Sequence, residues 1–187
     1  TEDLNGLAAG TYNVTVTDAN GCVTTCSITL TEPTVLNCSV TGTDLLCFQD
    51  NSGTIDLTAT GGVAPYTFNW TGPGGPYNTE DLNGLAAGTY NVTVTDANGC
   101  ITTQSITLTE PTLITSSISG TDLICFQDNS GTIDLSVSGG TLPYTFNWTG
   151  PGGPYNTEDL NGLAAGTYNV TVTDANGCIT TQSITLT

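Results

Sequence analysis

The residues able to do chemistry in this chain are of two kinds, cysteines and acids. There are 7 cysteines and 17 aspartates and glutamates, and no lysine, arginine, histidine or methionine. The usual proton-transfer bases, Schiff-base lysines and arginine anion clamps are therefore missing. Paired carboxylates can cleave glycosides, but Glu80-Asp81 are adjacent on a loop, so the chain reads as a non-enzyme. What is left is thiol chemistry. Cysteines used this densely in small domains imply disulfides and an oxidising, extracellular compartment. Without lysine there can be no Lys–Asn isopeptide cross-link, so covalent stapling must go through cysteine. Trypsin has no cleavage site.

Two weaker constellations remain. Asp96 and Asn98, with their copies Asp174 and Asn176, sit in Asp-Ala-Asn-Gly turns and could hold Ca²⁺, as could Asp50-Asn51-Ser52. Neither matches a known calcium-loop spacing, and such turns ordinarily serve as turns. No other cofactor is called for. Tyr77 and Tyr155 lie in a Gly-Pro loop and could stack on surface glycans, whereas Trp70 and Trp148 read as core. Asn13, Asn37, Asn69, Asn91, Asn147 and Asn169 open N-x-Ser/Thr sequons, which arise readily in a Thr-rich chain. The net charge of −17 excludes nucleic acid, whose binding runs on Lys and Arg contacts to phosphate, and argues against anionic lipid. No apolar run of about 18 residues is present to span a membrane.

These residues are positioned by repetition. The block TEDLNGLAAGTYNVTVTDANGC occurs at 1–22, 79–100 and 157–178, a period of 78 residues. A period that long makes each repeat a small domain rather than one turn of a solenoid. Two complete repeats span 32–109 and 110–187, and 1–31 is the C-terminal part of a preceding one. Of 78 aligned positions in the two complete repeats, 66 are identical. Beginning in mid-repeat, the sequence is expected to be a window on a longer array.

Within a repeat the pattern is all-β. Leu36, Cys38 and Val40 alternate with polar residues, as do Ile55, Leu57 and Ala59, then Tyr66, Phe68 and Trp70. Gly72 to Pro76 must be a loop, with Leu82 and Leu85 plugging the space beneath it. Tyr90, Val92 and Val94 form the next strand, and Asn98-Gly99 tips a hairpin. Ile106 and Leu108 face inward on the last strand. Ile101 has the opposite parity, which predicts a bulge near Thr103 or Gln104. Trp70 on the third strand and Tyr90 after Leu85-Ala86-Ala87-Gly88-Thr89, a tyrosine corner, point to an immunoglobulin-like sandwich. The expected architecture is a linear rod of such sandwiches, stapled by disulfides.

Cysteine spacing suggests which staples. Cys26 becomes Gln104 and Gln182 in later repeats, and Cys38 becomes Ser116, so the two are absent together. A Cys26–Cys38 disulfide follows, which folds the chain back at Glu32-Pro33. That hairpin would make the physical domain run about 47–125, borrowing a strand from the next repeat. Following it outward pairs Cys22–Cys47 and Cys100–Cys125. The competing set is Cys47–Cys100 and Cys125–Cys178, within each repeat.

The run CFQDNSGTIDLTATGGVAPYTFNW, followed by LNGLAAGTYNVTVTDANGC, resembles the SprB repeat family. The matching features are the Cys before a Gly-x-Ile strand, the GG-x-x-PY-x-x-x-W segment and L-x-x-GTY-x-VTVTDANGC. The resemblance covers about Cys47–Cys100 and its copies. It implies an extracellular, many-repeat surface protein of Bacteroidetes, of the kind that includes gliding-motility adhesins exported by type IX secretion. It transfers no site residues. The expected function is a structural stalk or fibre whose partners are neighbouring repeats, other copies in a filament, or surface glycans; a carbohydrate-binding array is the alternative.

Overall fold

The structure is a computed structural model and describes residues 3–187. Thr1 and Glu2, which open the leading copy of the repeated block, lie outside the described residues. Among the described residues there is no helix.

The chain begins with a lone hairpin of β1 (Gly10–Thr17) and β2 (Val23–Leu30). Domain 1 follows, with β3 (Asn37–Thr43), β4 (Gly53–Thr60), β5 (Thr67–Thr71), β6 (Leu82–Leu85), β7 (Gly88–Thr95) and β8 (Ile101–Leu108). Domain 2 repeats it as β9 (Thr115–Thr121), β10 (Gly131–Ser138), β11 (Thr145–Thr149), β12 (Leu160–Leu163), β13 (Gly166–Thr173) and β14 (Ile179–Leu186). Each domain packs one three-stranded antiparallel sheet, ordered β3-β4-β6, against another, ordered β5-β7-β8. In immunoglobulin terms these are strands A-B-E and C-F-G, and the fold is that sandwich.

The alternation explains the layers. Successive strand residues point to opposite faces, so Ile55 and Leu57 from β4 meet Tyr90, Val92 and Val94 from β7. Trp70 on β5 is fully buried, and its indole N–H donates to Thr79 O at 3.0 Å. The corner is built as the sequence implies, with Tyr90 Oη donating to Ala86 O at 2.9 Å and Tyr168 to Ala164 O at the same distance. Leu82 and Leu85 are both buried although they are three apart on one strand. A register shift opposite Gly53 and Thr54, with Gly84 at φ 67°, turns both inward. They therefore form a strand, β6, not loose plugs.

Two expectations need correcting. The expected bulge is not present: β7 and β8 stay in register from Gly88↔Leu108 to Thr95↔Ile101. Ile101 is simply turned to solvent, 67% exposed. Nor does the chain fold back at Glu32-Pro33. Strand β2 pairs with β1, and β3 pairs with β4, so no strand is borrowed and each sandwich lies inside its own sequence repeat.

The hairpin β1–β2 has the register of β7–β8, since Val14↔Cys26 corresponds to Val92↔Gln104. Its inner face is bare, with Val14 and Val16 about half exposed where Val92 and Val94 are buried.

Candidate functional site at the domain junction

The junction between the two sandwiches is where the sequence's cysteines and acids converge. An immunoglobulin sandwich carries its B–C and F–G loops at one end and its A–B loop at the other. In domain 1 the A–B loop, 44–52, is the C-terminal pole, held to the end of β8 by Leu45 N donating to Thr109 O at 3.0 Å. In domain 2 the F–G turn, 174–178, lies at the N-terminal pole, tied to the B–C loop by Ala175 N donating to Thr141 O at 2.9 Å. The two poles meet, and Cys47 is bonded to Cys178 with the Cα atoms 5.7 Å apart.

Aspartates set the shape of both halves. Asp50 Oδ2 accepts from Cys47 N and Oδ1 from Ser52 N, while Ser52 Oγ in turn takes Leu46 N at 2.8 Å. This caps a loop in which Gln49 and Asn51 sit at φ 57° and 55°. On the other side Asp174 Oδ1 accepts from Asn176 N and Cys178 N, and Oδ2 from Thr141 N. Burial opposes ionisation of Asp174, but the N–H groups of Thr141, Cys178 and Asn176 outweigh it and hold its carboxyl below the ordinary aspartate value. Asp96 is lowered in the same way, by Val63, Cys100 and Asn98 against burial.

The linker is strapped as well. Thr109 N donates to Asp44 Oδ1 at 2.7 Å, and Glu110 Oε2 accepts from Gln49 N at 2.7 Å. Across the junction Asn176 Nδ2 donates to Leu46 O at 2.9 Å and to Thr141 Oγ1 at 3.2 Å. A groove of about 320 Å³ at the junction is lined by Cys47 and Phe48 on one side and by Leu113, Ile114 and Ile179 on the other. Gly139, at φ 78°, is required beneath it, because a Cβ there would stand 2.0 Å from Leu113 O.

The other sequence candidates fall as follows. Cys47 is bonded to Cys178, so neither Cys22–Cys47 nor Cys47–Cys100 forms, and Cys125–Cys178 is likewise replaced. Cys22, Cys26, Cys38, Cys100 and Cys125 are thiols. Cys100–Cys125 is not made because the two lie at opposite outer poles, in the F–G turn of domain 1 and the A–B loop of domain 2. Cys26 and Cys38 do not bond because Cys26 stands on β2 of the leading hairpin and Cys38 on the A strand of domain 1. Within one sandwich those two positions do face each other: Gln104 Nε2 donates to Cys38 O at 3.1 Å, and Gln182 Nε2 to Ser116 O at 2.7 Å.

Asp96 and Asp174 turn their carboxylate oxygens to backbone N–H groups, Asn98 contributes its backbone N–H to the turn, and Asn176 its side chain to the junction. No group of three or more Cys, Asp or Glu arranged to hold a metal occurs among the described residues. Tyr77 and Tyr155 are half-buried. Their hydroxyls donate to Pro73 O and Pro151 O at 2.6 Å, and their rings tilt against Tyr90 and Tyr168 at 6.3 Å. These rings brace their own loop.

Sequence reasoning missed the Cys47–Cys178 pair because it looked for partners close in sequence or within one repeat. The signal was available. Once the repeat is read as an immunoglobulin sandwich, its two recurring cysteines lie at opposite poles and can meet only across a junction.

The SprB repeat family matches the chain at residues 39–75 and again at 117–153. Each match runs from the A strand through the A–B loop, with Cys47 or Cys125, to the Gly-Pro loop. Two segments of this chain thus match the SprB repeat model. No curated protein matches it in sequence. Among solved structures, this chain is similar to one described as the structural basis for Dscam isoform specificity, at 13% identity and a TM-score of 0.37, covering 89% of this chain and 51% of that one. It is also similar to the N-terminal eight Ig domains of Down Syndrome Cell Adhesion Molecule, at 13% identity and a TM-score of 0.49, covering 96% and 28%. Murine CEACAM1b is similar at 13% identity and a TM-score of 0.33, covering 81% and 99%. This chain thus spans about half or less of the first two. Nothing about function follows from likeness at that level.

Proposed function

We propose that this chain is a structural segment of a long extracellular protein at the bacterial cell surface, serving as a stalk or fibre in adhesion, gliding or a surface filament. The observation that carries this reading is the Cys47–Cys178 bond between successive, nearly identical domains. A disulfide across a domain junction, added to a strapped linker, fixes the angle between bricks, which a rod needs and an independent binding module does not. The acidic surface without a single cation supports the reading, since like charge keeps neighbouring rods apart and soluble. The SprB repeats support the surface setting, and with it export by type IX secretion.

The test is labelling of intact source cells with antibody raised against this chain, imaged by electron microscopy. Label along thin extracellular strands is the expected result. Label confined inside the cells, or on a freely secreted protein of globular outline, would overturn the proposal.

A further inference from the structure

The F–G turn of domain 2 carries one side chain that its own construction does not use. The turn is closed by Asp174, whose Oδ1 accepts from Asn176 N at 2.9 Å and from Cys178 N at 2.8 Å. The same two bonds close the turn at Asp96, and again at Asp18 in the lone hairpin. To these bonds Asn20, Asn98 and Asn176 each supply only a backbone N–H.

At the junction the Asn176 side chain crosses to the other domain. Its Nδ2 donates to Leu46 O at 2.9 Å. Leu46 directly precedes Cys47, and Asn176 lies two residues before Cys178, so this bond stands beside the disulfide. A backbone carbonyl can only accept, so the amide must meet it with its nitrogen. Each partner is held from its own side. Leu46 N donates to Ser52 Oγ at 2.8 Å, and that hydroxyl donates to Asp50 Oδ1 at 2.7 Å, which fixes the Leu46 backbone within the A–B loop. Asn176 Nδ2 also donates to Thr141 Oγ1 at 3.2 Å, which fixes the amide within domain 2.

Thr141 is a position at which the two repeats differ, its counterpart being Val63. Valine keeps both backbone bonds of the site, Val63 N to Asp96 Oδ2 at 2.9 Å and Ala97 N to Val63 O at 2.8 Å. It offers no oxygen to an amide. The threonine therefore leaves the turn as it is and adds only the brace.

We propose that Asn176, braced by Thr141, is the positioning residue of this junction: its amide docks the F–G turn on the Leu46 carbonyl and so brings Cys178 onto Cys47. The bond then closes by exchange with a small-molecule disulfide. One thiolate of the pair attacks oxidised glutathione, releasing one glutathione thiolate and leaving a mixed disulfide. The other thiolate attacks the protein sulfur of that mixed disulfide and releases the second glutathione. Two protein thiols and one glutathione disulfide become one protein disulfide and two glutathiones. The inference concerns the junction alone and does not rest on the cellular setting, so its failure in solution is distinct from a failure of the labelling experiment.

The experiment equilibrates the whole chain in buffers of stepped reduced-to-oxidised glutathione ratio, followed by acid quench and alkylation. Digestion on the N-terminal side of aspartate places Cys47 in fragment 44–49 and Cys178 in fragment 174–187, so the linked pair is counted by mass. Asn176→Ala keeps the backbone N–H that the turn needs and loses the donor. It should lower the equilibrium constant for the bond by about 3- to 10-fold, the worth of one net hydrogen bond. Thr141→Val, which copies Val63, should lower it by a smaller factor. Asn98→Ala, the same change in the domain 1 turn, should leave it unchanged. An unchanged constant in Asn176→Ala, or an equal fall in Asn98→Ala, would overturn the proposal. A Thr141→Val constant equal to the parent's would remove Thr141 from it. Folding is checked in chains that also carry Cys178→Ser. There Asn176→Ala should melt with its parent, and a loss of domain 2 stability would assign the effect to the turn and overturn the proposal.

Discussion

Replacing Cys178 with serine removes the junction bond by a one-atom change at the edge of the domain 2 core. The bond has a sequence separation of 131 residues, for which loss of chain entropy gives about 5 kcal/mol when both domains unfold together. If only one domain unfolds, the closed loop is roughly half as long. Because the cost is logarithmic in length, the figure falls only to about 4 kcal/mol. The bond should therefore protect whichever domain unfolds first nearly as well as it protects the pair. With a guanidinium m-value of roughly 2 kcal/mol/M for a domain of this size, the oxidised parent should unfold about 2 M higher than Cys178→Ser. Intrinsic fluorescence of Trp70 and Trp148 reports one tryptophan per domain. Dithiothreitol should bring the parent to the variant's midpoint and leave the variant where it is. Coincident midpoints for the oxidised parent and Cys178→Ser would refute the reasoning.

Three further outcomes follow from particular contacts. Gln104→Cys should form a disulfide with Cys38, because Gln104 already reaches Cys38 O at 3.1 Å across 66 residues. Digestion on the N-terminal side of aspartate would show fragments 18–43 and 96–121 linked, with a gain of about 4 kcal/mol in domain 1 by the same entropy argument. Gly139→Ala places a Cβ 2.0 Å from Leu113 O at a φ of 78°, and should cost domain 2 about 2 kcal/mol or more in a denaturant melt. Asp96 and Asp174 have lowered folded-state values, so their contribution is complete above the unfolded aspartate value of about 3.9. It is lost as pH falls through the lower folded values. Melting temperature should thus decline on the acid side below about pH 4, and the decline should shrink in Asp96→Asn plus Asp174→Asn.

The sandwich was readable because its signals are local. Tyr90 with Ala86 four residues before it, Trp70 on an aromatic strand, and the alternation through Ile55 and Leu57 each depend on nearby residues and the two-residue period. Ile101 misled because parity was taken to mean burial, whereas an isoleucine next to a turn can face water without a bulge. Leu82 and Leu85 misled the other way: a positive-φ Gly84 let three-residue spacing remain a strand. The junction was not readable from spacing alone, since Cys47 and Cys178 share no local pattern. Their meeting depends on which end of a sandwich each loop occupies, a property of the fold. The joint absence of Cys26 and Cys38 in later repeats misled: these A- and G-strand positions face each other only within one sandwich, and there Cys38 faces Gln104.

The bond between Cys47 and Cys178 also changes what a break in the backbone means. Residues 48–177 lie inside the covalent ring it closes. A single peptide bond hydrolysed anywhere in that stretch leaves the two ends of the molecule joined through sulfur. The exposed A–B and Gly-Pro loops, where proteases would first cut, are inside the ring for domain 1, as is most of domain 2. A thread built this way outlasts damage that would sever an ordinary chain of beads, and only reduction together with cleavage parts it. In the proposed extracellular setting, where oxidants are common and proteases are plentiful, continuity is then a property of the cross-link more than of the polypeptide.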